Sequence, residues 1–137
     1  MNKRILFILL SIVLSLSLMV GCKKQEIKEN NNPSNLELNT NQGVIEDKEL
    51  EVFTFTNTSL IWNGNGTDLE TKITNTSDND EYLKGFNVIV YDEDGNVIAS
   101  MEGYVGTTIK AHDTKVMSTG HYKDLTKATR IEYEIIR

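Results

Sequence analysis

The sequence predicts an all-β fold, a small antiparallel sandwich, in the C-terminal two thirds of the chain. From Glu49 onward, apolar and polar residues alternate with a period of two, which is typical of strands that bury one face. Asn-Gly and Asp-Gly pairs divide this region into short segments about 8–12 residues apart. Helical periodicity is almost absent. We therefore expect one domain over residues 49–137, with about seven strands.

The first strands are rich in β-branched and aromatic residues. Residues 52–56 (VFTFT) predict a strand, and residues 59–62 form a second short apolar run. The two Asn-Gly pairs at 63–66 mark a turn, because both residue types accept positive φ. Residues 67–76 then alternate. Their face expected to be buried comprises Leu69, Thr71 and Ile73.

The later strands follow the same pattern. Residues 86–91 form the most apolar strand, and a turn at Asp94-Gly95 leads into a returning strand over 97–105. Strands over 114–119 and 129–136 complete the set. Leu125, in a short helical turn between these two strands, is expected to close one end of the core. Such a series is typical of an immunoglobulin-like sandwich, and a five- or six-stranded barrel is the alternative.

Several of these segments resemble the FxLYD domain, a small sandwich module of bacterial lipoproteins and surface proteins. The resemblance rests on residues 69–77 (LETKITNTS), 88–92 (VIVYD), Gly95 and 110–114 (KAHDT). It covers residues 67–137 and implies an immunoglobulin-like β-sandwich without catalytic activity. It assigns no catalytic residue to this chain.

The N-terminal segment, residues 1–21, has the features of a bacterial signal peptide. Lys3 and Arg4 give it a positive start, and an apolar stretch over 5–20 follows. Residues 18–22 (LMVGC) resemble the lipobox, in which the cysteine receives a diacylglycerol. Cys22 is the only cysteine of the chain, so no internal disulfide is expected. We predict a lipoprotein, with lipid on Cys22 as its first mature residue.

Residues 22–48 are predicted to be the lipidated cysteine and a flexible linker. The segment is rich in Asn, Lys and Glu and has no apolar period, so it cannot bury enough surface to offset its ordering entropy. Within it, Val44-Ile45 is a candidate edge segment of the fold. The expected location is the extracytoplasmic face of the cell membrane, to which the lipid holds the chain.

The charge of the chain argues against nucleic acid as a partner. The formal charge is −6, and it becomes −8 once Lys3 and Arg4 are removed with the signal peptide. An acidic chain repels phosphate backbones, and no run of basic residues interleaved with aromatics occurs. The partners expected are the membrane, through the lipid, and a protein or a cell-wall polymer.

No pattern of catalytic residues is found, and the chain is predicted not to be an enzyme. There is no nucleophile elbow or phosphate-binding loop, and His112 and His121 lie in or beside predicted turns. Glu132 and Glu134 share a solvent face of one strand, as ordinary surface charges do. No cofactor is expected.

Two groups of residues offer possible metal ligands, but neither is predicted to form a metal site. Residues 92–96 (DEDGN) resemble a calcium loop but lack its closing glutamate and spacing, and they suit a hairpin turn. Copper(I) ligands could come from Met101, His112, Met117 and His121, but the methionines are more simply core residues. The role of a small metal- or ligand-carrying lipoprotein is kept as the alternative function.

The hairpin at Asp94-Gly95 suggests an interaction surface. A type I′ turn pairs Tyr91 with Ile98, Val90 with Ala99 and Val88 with Met101. The face expected in the core comprises Phe86, Val88, Val90, Val97, Ala99 and Met101. The opposite face faces water but carries apolar and aromatic side chains, and such a cluster can mark a partner site. The predicted surface comprises Ile89, Tyr91, Ile98 and Tyr104. The leading function is a non-enzymatic binding module.

Overall fold

The computed structural model describes residues 36–137, and these residues form an antiparallel β-sandwich. The elements are β1 (Glu37–Leu38), α1 (Gln42–Ile45), β2 (Lys48–Leu50), β3 (Phe53–Trp62), β4 (Thr67–Asn75), β5 (Glu81–Tyr91), β6 (Val97–Ile109), β7 (Thr114–His121) and β8 (Arg130–Ile136). The all-β sandwich predicted from the sequence is confirmed. The predicted signal peptide and Cys22 lie outside the described residues, as does most of the predicted linker. None of the described helices is both long enough and apolar enough to cross a bilayer.

Two sheets face each other around the core. The five-stranded sheet has the order β3-β4-β7, with β1 and β2 both paired to the outer edge of β3. The three-stranded sheet has the order β6-β5-β8, with β5 in its centre. Both long hairpins, β3-β4 and β5-β6, connect neighbours within a sheet. Residues 36–137 contain eight strands, whereas about seven were predicted.

One strand replaces the two segments expected at 52–56 and 59–62. β3 runs through both, with a bulge between Thr56 and Ser59. Asn57 adopts a φ of 52°, in the left-handed region that asparagine tolerates better than most residues. The bulge shifts the alternation by one residue, so that Thr58 and Leu60 both lie in the core.

An aromatic cluster with a small polar network occupies the centre of the core. The ring of Tyr133 stacks on Phe55 at 4.0 Å, and Phe86 meets both rings edge-on. The hydroxyl of Thr58 lies 2.9 Å from that of Tyr133 and 2.9 Å from that of Thr71. Because these hydroxyls satisfy one another, the core holds polar groups without leaving any unpaired. The predicted core residues of β4, β5 and β8 are buried as expected.

The fold begins before Glu49, so the domain boundary predicted there is wrong. Residues 36–50, which we call the strap, run along β3 as β1, leave it as α1, and return as β2. Within α1, Val44 is fully buried and packs in the core, whereas its neighbour Ile45 is exposed. The linker composition did not reveal this, because Val44 and Asn39 are the two buried residues of the strap, whereas the apolar residues Leu36, Leu38 and Ile45 are exposed.

Two buried asparagines hold the two ends of the sandwich. Asn39 donates from Nδ2 to the carbonyls of Leu125 (3.0 Å) and Ala128 (2.8 Å), fixing the loop after β7 over the core. Leu125 is 1% exposed, which confirms that it closes one end. At the other end, Nδ2 of Asn75 donates to the carbonyls of Asn79 (2.7 Å) and Ile109 (3.0 Å).

The β5-β6 hairpin differs from the type I′ turn that was predicted. Gly95 has a φ of 80°, but Asp94 does not have positive φ, and Asp92 and Asn96 close a three-residue loop. The pairs Val90–Ala99 and Val88–Met101 are confirmed. A bulge beyond them pairs Tyr91 with Val97, not with Ile98.

The bulge reverses the positions of the first two residues of β6. Val97, which was predicted to lie in the core, is 58% exposed. Ile98, which was predicted to face water, is half-buried and packs against the core. Both assignments were wrong because the loop is one residue longer than predicted, which shifts the register at the start of β6.

Candidate functional site

The predicted interaction surface is divided in the structure. Ile89 and Tyr91 alternate with the buried residues of β5 and lie on the outer face of the three-stranded sheet. Ile98 packs against the core instead. Tyr104 is 68% exposed but pairs with Gly85, four residues from Ile89, or about 13 Å along the strand. The four residues therefore do not form one continuous apolar patch.

Tyr91 belongs to a polar surface cluster whose side chains contact one another. Its hydroxyl donates to Oε2 of Glu132 at 2.8 Å, and the guanidinium of Arg130 lies 3.8 Å from the centre of its ring. Arg130 also forms an ion pair with Glu132. The register places the three residues together, because Arg130 lies opposite Tyr91 and Glu132 lies opposite Ile89. The tyrosine is thus part of a surface network of the fold.

A cleft of about 380 Å³ lies beside this cluster. It separates the edge strand of one sheet, β2, from the edge strand of the other, β8. The lining residues are Lys48, Glu49, Leu50, Arg130, Ile131, Glu132, Tyr133 and Glu134. Sequence reasoning missed the cleft because β2, which spans the predicted boundary between linker and domain, was not predicted to be a strand.

The charges around the cleft are unevenly compensated. Lys48 forms an ion pair with Glu46, and Arg130 forms one with Glu132. Within residues 36–137, the carboxylates of Glu49 and Glu134 have no ion-pair partner. The cleft therefore carries an excess of negative charge at its rim, above the apolar side chains that line it.

Tyr133 is the buried titratable group beside the cleft. Burial raises the pKa of its phenol above the usual value, and the hydrogen bonds from Thr58 and Thr71 oppose that shift only in part. A phenol with a raised pKa stays protonated at neutral pH and acts here as a hydrogen-bonding partner of Thr58. Its role in the described structure is to hold the core together.

The carboxylate that resembles part of a calcium loop takes part in the β5-β6 turn. The carboxylate of Asp92 accepts the backbone N–H groups of Asp94 (3.0 Å) and Asn96 (2.8 Å). These bonds lower the pKa of Asp92, the backbone bond from Asn96 having the largest effect. Across residues 36–137, no cluster of three or more His, Cys, Asp or Glu side chains is arranged to hold a metal ion.

The two histidines lie apart at the surface. Nε2 of His112 lies 3.1 Å from a carboxylate oxygen of the exposed Asp78. The ring of His121 stacks on that of Tyr122 at 4.4 Å, and its Nδ1 accepts the backbone N–H of Lys123. Neither histidine approaches the cleft, since neither contributes to its lining.

Three comparisons bear on the identity of the chain. A scan against protein-family models, a search of curated proteins and a search of solved structures each found no match.

Proposed function

We propose that the protein is a lipoprotein, held by Cys22 on the extracytoplasmic face of a bacterial membrane, and that its β-sandwich is a non-enzymatic binding module. The lipid anchor is supported by the sequence alone. A positive start, an apolar segment of signal-peptide length, Gly21 and the only cysteine of the chain follow one another in the order of a lipobox.

The binding role is supported by one observation, the cleft between β2 and β8. Its walls place Leu50, Ile131 and Tyr133 beside charged side chains, an arrangement found in sites that receive a partner. In the described part of the chain, the carboxylates of Glu49 and Glu134 have no ion-pair partner. Away from the cleft, the carboxylate of Asp92, which resembles part of a calcium loop in the sequence, is engaged in hydrogen bonds of its own turn. The resemblance to the FxLYD domain agrees with a module of this kind.

Mass spectrometry of the membrane fraction tests the anchor. We expect a mature form that begins at Cys22 and carries the added mass of a diacylglycerol, and often that of a further acyl chain. The variant Cys22→Ala should remain unprocessed or be released, because the thiol that receives the lipid is absent. A processed form beginning at Cys22 without added mass would contradict the proposal.

The binding role is tested by cross-linking on whole cells, followed by purification of the protein. We expect a partner to be recovered with the natural chain and lost when Glu134→Lys and Glu49→Lys reverse the charge of the cleft. Glu70→Lys with Glu102→Lys serves as the matched control, because both residues are exposed strand residues outside the cleft. Equal recovery from all three proteins would refute a role for the cleft.

A further inference from the structure

Two strand edges without strand partners face each other at the cleft. β8 pairs with β5, and within the described residues no strand runs along its other edge. β2 pairs with β3 alone. A free edge presents a row of backbone N–H and C=O groups that can pair with another extended chain. The cleft lies along the free edge of β8 and leaves room beside it.

The strap already pairs with this edge at one residue. Gly43 forms an isolated parallel bridge with Arg130, the first residue of β8. Gly43 lies within α1, so the strap does not follow β8 as a strand and the pairing does not extend to Ile131 and beyond. The bridge shows that a backbone can approach the edge closely enough to pair with it.

The side chains of the cleft determine what kind of strand fits. Successive side chains of an added strand point to opposite faces of the sheet. Those on the inner face would meet Leu50, Ile131 and Tyr133, which are apolar or aromatic and wholly or partly buried. Those on the outer face would lie beside the alternate row of β8. That row comprises Arg130, Glu132 and Glu134.

The outer row selects for positive charge. The charge of Arg130 is compensated by Glu132, whereas Glu134 and, on the opposite wall, Glu49 are uncompensated. A lysine or arginine on the added strand would neutralise the carboxylate of Glu134 or of Glu49, neither of which has an ion-pair partner within residues 36–137. An acidic segment would instead add to the negative charge.

We propose that the free edge of β8 binds an extended segment of a partner protein, with apolar residues alternating with lysine or arginine, as a fourth strand of the three-stranded sheet. Backbone hydrogen bonds to β8 hold the segment, and the alternating side chains select it. This inference deepens the proposed binding function and rests on it. It does not depend on the lipid anchor, which mass spectrometry tests separately.

Peptide binding to the chain from Cys22 onward tests the proposal, with Cys22→Ser so that no lipid is carried. This protein keeps every residue of the described fold. The probe is a synthetic peptide of seven residues in which lysine and valine alternate, and its binding is followed by calorimetry. We expect saturation at a concentration below about 1 mM. No binding by a protein whose circular dichroism shows the β fold would overturn the proposal.

Methylation of the peptide backbone distinguishes strand addition from simple charge attraction. Alternate residues of a strand point their N–H groups to opposite sides, so only one set faces β8. Two further peptides carry N-methyl groups, one on the lysines and the other on the valines. We expect one of them to bind at least about ten times more weakly than the other. Equal binding by both would overturn the proposal, because charge and composition are the same in the two peptides.

Charge reversal locates the site. Glu134→Lys should weaken binding of the lysine–valine peptide about tenfold, whereas Glu70→Lys, on the five-stranded sheet, should leave it unchanged. The two variants have the same net charge and both replace exposed residues. If both weakened binding equally, the attraction would come from overall charge, and the proposed site would be wrong.

Discussion

At the scale of single residues, two buried asparagines form hydrogen bonds to the backbone that apolar core residues cannot form. Each is almost fully buried. Nδ2 of each donates to backbone carbonyls of a distant segment, and Oδ1 accepts the backbone N–H two residues further along its own segment. Asn39 ties the strap to the loop after β7, and Asn75 ties the end of β4 to the end of β6. A buried amide with satisfied partners stabilises modestly, but removing it leaves its partners unpaired.

We therefore expect Asn39→Ala to lower the free energy of unfolding by about 2 kcal/mol, because the carbonyl of Ala128 loses the Asn39 donor and that of Leu125 keeps only the backbone N–H of Ala128. Urea denaturation measures the change. Asn79→Ala is the control, since only its backbone carbonyl takes part in the Asn75 contact, and its effect should stay within about 0.5 kcal/mol. Equal losses in both variants would show that the amide of Asn39 has no special role.

A glycine makes room for the central aromatic cluster. Gly103 lies opposite Phe86 in the hairpin, and a Cβ atom on it would be 2.3 Å from Cζ of that ring. The ring is packed against Phe55 and Tyr133 and cannot move away freely. The absence of a side chain at 103 thus determines where the ring lies.

Gly103→Ala should destabilise the domain by about 1–3 kcal/mol, the usual cost of overpacking a core. Phe86→Leu removes the clash together with part of the aromatic packing. In the double variant the two losses should not add, and the coupling between them is measured by a double-mutant cycle. Strictly additive losses would mean that the methyl group and the ring do not meet.

At the scale of elements, two loops depend on ionised aspartates. Asp92 closes the β5-β6 loop, and Asp124 accepts the backbone N–H and the hydroxyl of Thr126 in the loop that covers the core. Hydrogen bonds from these backbone groups lower the pKa of both carboxyls below the usual 3.8. Their contribution is complete above that pH and is lost as the pH falls through the lower folded-state pKa values.

The free energy of unfolding should consequently fall as the pH drops below about 3.8, and less steeply in the double variant Asp92→Asn, Asp124→Asn. Urea titrations between about pH 5 and about pH 2 compare the two slopes. Asp94→Asn is the control, because this exposed residue of the same loop contributes its backbone N–H to Asp92, and the substitution keeps that group. Parallel slopes for the natural chain and the double variant would contradict this account.

The strap is the element whose removal tests the revised domain boundary. A chain that begins at Glu46 lacks the buried Val44, which contributes about 1.5–3 kcal/mol, and also lacks the Asn39 amide that donates to the carbonyls of Leu125 and Ala128. We expect its melting temperature to fall by more than about 10 °C. A chain that begins at Asn35 keeps the strap and should melt as the mature chain does. Equal melting of the two fragments would restore the boundary at Glu49.

For the molecule as a whole, alternation was enough to predict the sandwich. The period of two in β4, β5 and β8 assigned their buried faces correctly, because no bulge interrupts the alternation that was read there. It failed where an extra residue enters a strand. The bulge at Asn57 and the three-residue loop after Asp92 each shift the register by one, and local propensity does not determine such insertions.

The candidate site was harder to predict than the fold. Two residues of the predicted surface, Ile89 and Tyr91, do lie on the expected face, but the cleft beside them arises from β2 meeting β8 across more than 70 residues of chain. β2 has three residues, of which only Leu50 is apolar. Its pairing depends on the half-buried Leu50 and on the buried Val44 in the preceding helix. Such long-range assembly leaves no periodic signal in the sequence.

The strap also determines how the domain responds to mechanical force. A pull applied at Leu36 acts first on β1, whose two residues pair only with Ile61 and Trp62 at the edge of β3. An edge strand loaded at its end peels one pair at a time, so this contact yields at low force. The amide of Asn39 comes next and resists through two side-chain hydrogen bonds to the loop after β7 at once. Peeling of β1 would therefore lengthen the connection by a few residues before any load reached the core.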